Sequence, residues 1–125
     1  MVDIKPQKDF PLIGRYREIF PINENTIFAY DHKIYCNHEL PDHLIIHEMV
    51  HHMQQDKYGL ETWVDRYLHD PQFRLDMEVQ AYRTQIKSIK DGKAKARTLI
   101  LSAKDLSSPL YRDLLTYKQA INLLN

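Results

Sequence analysis

The chain has 125 residues, of which 27% are charged and 43% hydrophobic, with 17 Lys+Arg balancing 17 Asp+Glu. That length and balance describe one soluble domain spanning residues 1–125, and they exclude a strongly basic nucleic-acid or membrane-surface binder. The single cysteine, Cys36, rules out an internal disulfide; no leader-like segment or membrane-length apolar run is present, so a cytoplasmic location is expected.

The first forty residues read as extended. "GRYREIFPI", "NTIFAY" and "IYCN" are rich in β-formers, with turn residues Pro21, Asn23 and "DHK" between them. A short antiparallel hairpin or meander is expected over about Arg15 to Asn37. After Pro41 the apolar spacing becomes helical up to about Lys57, with Gly59 as the stop. "ETWVDRYLHD" predicts a second helix, ended by Asp70-Pro71. "PQFRLDMEVQAYRTQIKSIK" predicts a third, ending near Gly92, and "AKARTLILSAKDL" a fourth. "SPLYRDLLTYKQAINLL" predicts a fifth, with Ser108 as N-cap and Pro109 in the first turn. The fold class expected is α+β: a small N-terminal sheet, then helices. Basic residues gather from Lys87 to Lys104 among apolar positions, which reads as a solvated helix face.

The first helix carries "LIIHEMVHHMQ". A helical wheel puts Ile45, Ile46, Met49, Val50 and Met53 on one face, expected to build core. It puts His47, His51, Glu48 and Gln55 on another. His47 and His51 are one turn apart, about 6 Å along the axis, so two neutral imidazoles can share one Zn2+ ion. Glu48 lies beside them, where it can reach a water on the metal. His-Glu-x-x-His on a helix is the signature of zinc hydrolases, with the Glu as general base. His52 points away and reads as a flanking histidine, and His43 as structural. Cys36 reads as a buried strand residue, with a metal-blocking thiol as the alternative.

Catalytic zinc usually takes a third protein ligand. Glu78 sits at the edge of the apolar stripe of the third helix, where a carboxylate is costly unless paired or metal-bound. A salt bridge to Arg74 is the other explanation for it. His69, Asp65 and Glu61, on the second helix, compete as ligands.

"HEMVHHMQQ", the linker "ETWVDRYLHDPQF" and "FRLDMEVQAYRTQ" together resemble small gluzincin-type metallopeptidases, in particular short ones encoded by bacteriophages and prophages. "LSSPLYRDLLTYKQA" extends the likeness, which covers about Asp42 to Ala120. The resemblance implies a zincin-like fold with an HExxH helix and a glutamate helix. It implies His47, His51 and Glu78 as zinc ligands, Glu48 as general base, and Tyr82 as a group that supports the site or polarises a substrate carbonyl. It implies peptide or protein substrates, with "KIYCN" as the edge strand pairing with them. Tyr82, Tyr67, His69 and His52 all remain open as oxyanion donors. The second lobe of large gluzincins is missing, so a shallow cleft is expected. The competing expectation is a zinc-binding protein that is catalytically silent and serves a structural or interaction role.

Overall fold

The computed structural model describes residues 2–125. Three short strands, β1 (Asp3–Lys5), β2 (Phe28–Tyr30) and β3 (Lys33–Tyr35), form one sheet. Six helices complete the α+β fold: α1 (Ile13–Arg17), α2 (Asp42–Tyr58), α3 (Leu60–His69), α4 (Pro71–Ser88), α5 (Gly92–Leu106) and α6 (Tyr117–Leu124). No helix among the described residues is long and apolar enough to cross a membrane.

The β2–β3 hairpin closes through Asp31 and His32, both at positive φ (51° and 63°), which matches the twist of a two-residue turn. The sheet is mixed, which corrects the antiparallel expectation. β1 joins β3 in parallel, giving the order β1-β3-β2. β3, part of "KIYCN", is therefore the central strand, and β2 is the outer strand on the other side. The hairpin is also shorter than expected. Arg15–Arg17 belong to α1, because Tyr16 and the half-buried Phe20, four apart, must both turn into the aromatic cluster around Phe10.

The middle helices follow their caps. Gly59 (φ 89°) ends α2 and opens α3, a backbone geometry few other residues adopt. Asp70 accepts from the Phe73 amide with Pro71 at the first helical position, which starts α4. Asp91 accepts from the Ala94 amide and starts α5. The C-terminal helix divides where one was expected. Pro109–Tyr111 form a single 3-10 turn, and Arg112 and Asp113 then adopt positive φ. A fresh capping box, Thr116 with Gln119, starts α6. Ser108 makes no cap hydrogen bond.

Two apolar cores result. Phe10, Tyr16, Phe28, Tyr35, Trp63 and Phe73 pack at the hairpin end. Leu75, Val79, Ile86, Ala103, Leu106 and Leu124 pack between α4, α5 and α6. Between the hairpin and α4 lies α2, and it lies the opposite way round from its wheel. His47, Glu48, His51, His52, Gln54 and Gln55 are buried, while Met49 and Met53 are 45% and 70% exposed. Met49 and Met53 do not fill the core. Most of the inward polar side chains have partners on other elements, so this face can be buried at little net cost.

Candidate metal centre

Glu78 of α4 faces α2 directly. Its Oε1 lies 2.9 Å from His47 Nε2 and its Oε2 lies 3.1 Å from His51 Nε2. One donor atom from each of the three residues falls within 4.8 Å of the others, and all three residues are buried. A buried His-His-Glu group of this kind could hold a metal ion. The other candidate ligands are elsewhere: Glu61, Asp65 and His69 are exposed on α3. Arg74 does not pair with Glu78. Its guanidinium donates to the carbonyls of Tyr67, Leu68 and Leu110.

Hydrogen bonds behind the rings fix which nitrogen faces the centre. Trp63 Nε1 is a donor only, and it donates to Gln54 Oε1 (3.3 Å). That oxygen also faces His51 Nδ1 (2.9 Å), so Nδ1 carries the proton. The amide group of Gln54 donates in turn to the Met77 carbonyl (3.0 Å) and Gln80 Oε1 (3.1 Å) on α4. His47 is held in the same sense: its Nδ1–H donates to Gln85 Oε1 (2.8 Å), and Gln85 Nε2 donates to His43 Nδ1 (2.9 Å). With Nδ1 protonated and turned outward, both imidazoles direct Nε2 towards one carboxylate. Acceptors at such distances need positive charge between them, supplied by protons or by a metal ion. Outer partners that fix the tautomer and ring angle are the usual support of histidine ligands.

The electrostatics of the metal-free chain agree. Burial alone would lower both imidazoles, but the Glu78 carboxylate outweighs it, raising His47 and pushing His51 up to about 9. Burial would raise Glu78, yet the two rings hold it well below the usual carboxylate range. Tyr67 donates its hydroxyl to Glu78 Oε2. Glu48 differs. It is buried, its one ion-pair contact among the described residues is His47 Nε2 at 3.9 Å, and burial pushes its carboxyl up.

The four residues line a cavity of about 460 Å³. Its walls include Phe28 and Ala29 of β2, the preceding Asn25–Ile27, and the rings of Trp63, Tyr67 and Tyr82, and no Lys or Arg lines it. The strand bordering the site is therefore β2, not β3. Tyr82 packs its ring edge-on against His47 (centroids 4.7 Å apart) and donates its hydroxyl to Asp105 Oδ2 (2.6 Å). His52 is turned to the hairpin, with its Nε2 donating to the Lys33 carbonyl (2.9 Å). Cys36 is buried with its thiol near the His38 carbonyl and does not line the cavity.

Sequence reasoning gave no role to Gln54, Gln85, Trp63 or Asp105. For Gln54 the signal was its position three residues after His51, one turn along the same helix. For Gln85 it was a place on the wheel beside Glu78. Asp105 left no signal. Comparison with protein-family models, curated proteins and solved structures finds no match to this chain.

Proposed function

We propose that the chain is a zinc-dependent metallopeptidase of zincin-like fold, with His47, His51 and Glu78 as ligands and Glu48 as general base. The observation that carries the reading is the pair of imidazole Nε2 atoms turned onto one buried carboxylate, with an unshared carboxylate, Glu48, beside them. Two nitrogens and one carboxylate oxygen suit zinc and leave its fourth position open. Bound there, the ion would supply Lewis-acid polarisation of a substrate carbonyl and acidify a water.

The residues of the chain do the remaining work. Glu48 takes a proton from the attacking water and returns it to the leaving amine; burial has already raised its carboxyl towards the range such a base needs. Gln54 and Gln85 hold the imidazole angles. Where the chain enters β2, Ile27 offers backbone to an extended peptide; the Asn25 and Thr26 amides and the Thr26 carbonyl are already engaged by Asn23 and Gln7. The outer edge of β2 is free only upstream, because Gln55 Nε2 donates to the Ala29 carbonyl (2.8 Å) and its Oε1 accepts from the Asp31 amide (3.3 Å). Tyr67 and Tyr82 line the cavity; each hydroxyl already donates its one proton, to Glu78 and to Asp105, so either would serve a developing oxyanion only by exchanging that partner.

The test has two parts. Elemental analysis of purified protein is expected to give one zinc per chain. Cleavage of a peptide library is expected to be abolished by chelation and restored by zinc. Zinc without cleavage would leave a silent zinc protein; no zinc would end the reading.

A further inference from the structure

The side of α2 remote from the metal centre faces a second concavity, of about 960 Å³, shared with α4, α5 and α6. Val50, Met53 and Leu99 line it, and Arg83, Lys87 and Lys95 stand around them. No Asp or Glu lines it, and among the described residues no carboxylate lies within 4.0 Å of those three cations. The charge is concentrated rather than scattered. Of 17 cations and 17 acids in the chain, seven cations and one acid fall between Arg83 and Lys104, leaving ten and sixteen elsewhere. The one acid, Asp91, is engaged in capping α5.

We propose that this groove binds an acidic amphipathic helix of a partner protein. A concave apolar strip ringed by cations is the shape that receives the apolar stripe of a helix whose flanks carry Asp and Glu. Unbranched methionine adapts to such a stripe, and Met53, 70% exposed, stands ready for it. A nucleic-acid backbone would match the cations and leave Met53 and Leu99 uncovered. An anionic membrane would reach the protruding Met53 but not Val50 and Leu99, which are only partly exposed within the concavity.

The probe is a synthetic helix of about five turns with Leu at i, i+3, i+4 and i+7 and Glu at the other positions, titrated into the full chain with methionine methyl NMR and fluorescence anisotropy. Saturable shifts at the Met53 methyl, weakened about tenfold or more by Met53→Glu and by the triple change Arg83→Gln, Lys87→Gln, Lys95→Gln, are expected. The peptide with Gln in place of Glu should bind more weakly, and the difference should vanish for the triple variant. All four residues are exposed, so circular dichroism should show both variants folded. Equal binding of the Glu and Gln peptides would overturn the proposal. So would an unshifted Met53 methyl, or capture of a DNA duplex or phosphatidylserine vesicles by these residues in the absence of peptide binding.

Discussion

Helix α4 has two packing surfaces of opposite character. Towards α5 and α6 it presents Leu75, Val79 and Ile86 to an aliphatic core. Towards α2 it presents Glu78, Gln85 and the Met77 carbonyl to a polar seam. Each fully buried Leu or Ile on the first surface contributes about 1.5–3 kcal/mol, whatever the pH or ion content. Each neutral hydrogen bond on the second contributes about 0.5–1.5 kcal/mol, and a buried carboxylate there costs several unless positive charge meets it. One surface holds the fold; the other converts part of that stability into a demand for a cation.

Glu48→Gln should separate chemistry from binding most sharply. It leaves the three ligands untouched, so zinc stoichiometry should stay at one while peptide turnover falls about 100- to 10,000-fold. Unchanged turnover would remove Glu48 from its role. On the aliphatic side, Leu106→Ala, at a fully buried position, should cost about 2–5 kcal/mol in denaturant unfolding. It should leave zinc affinity in the folded state unaltered. On the polar side, Gln54→Leu strands His51 Nδ1–H and Trp63 Nε1–H without their acceptor. Zinc affinity, read by competition with a chromophoric chelator, should fall about 10- to 100-fold.

The smallest effect is a difference in pH dependence. In the metal-free chain His51 is raised from 6.5 to about 9. A raised imidazole stabilises fully below its unfolded pKa, and that contribution is lost as pH climbs from 6.5 through 9. Glu78, held low, has the opposite sign: its contribution is present above about 4.5 and is lost on acidification. The metal-free melting temperature should therefore decline from pH 6.5 to 9. With zinc bound the protons are displaced and affinity strengthens as pH rises, so the gap between the two forms should widen. Parallel melting curves across that range would mean that the seam does not couple protons to metal.

The same contrast explains what could be read from the sequence. Caps and breakers, which act within a few residues, were legible in the middle of the chain: Gly59 closes α2 and Asp70-Pro71 separates α3 from α4, as expected. So were His47, His51 and Glu78, since two lie on one helix turn and the third stands out as an acid on an apolar stripe. The orientation of α2 was not legible. Hydrophobic patterning assigns Met53 inward and Gln55 outward, and the true arrangement depends on partners far along the chain: Ala29 for Gln55, Lys33 for His52, Gln85 for His47. The mixed sheet likewise depends on β1 reaching β3 across thirty residues, and the break before α6 on Arg112 and Asp113, neither of them a glycine.

Trp63 is the only tryptophan in the chain. Its indole lies 5.4 Å from the His51 ring, stacks on Tyr67 at 4.6 Å, and shares the Gln54 oxygen with His51. The molecule thus carries an unlabelled optical gauge beside its most strongly perturbed imidazole. A protonated ring there should quench indole emission, and exchanging that proton for an ion should brighten it. Loading could then be followed in real time on the unmodified chain, in a steady-state fluorimeter or a stopped-flow mixer.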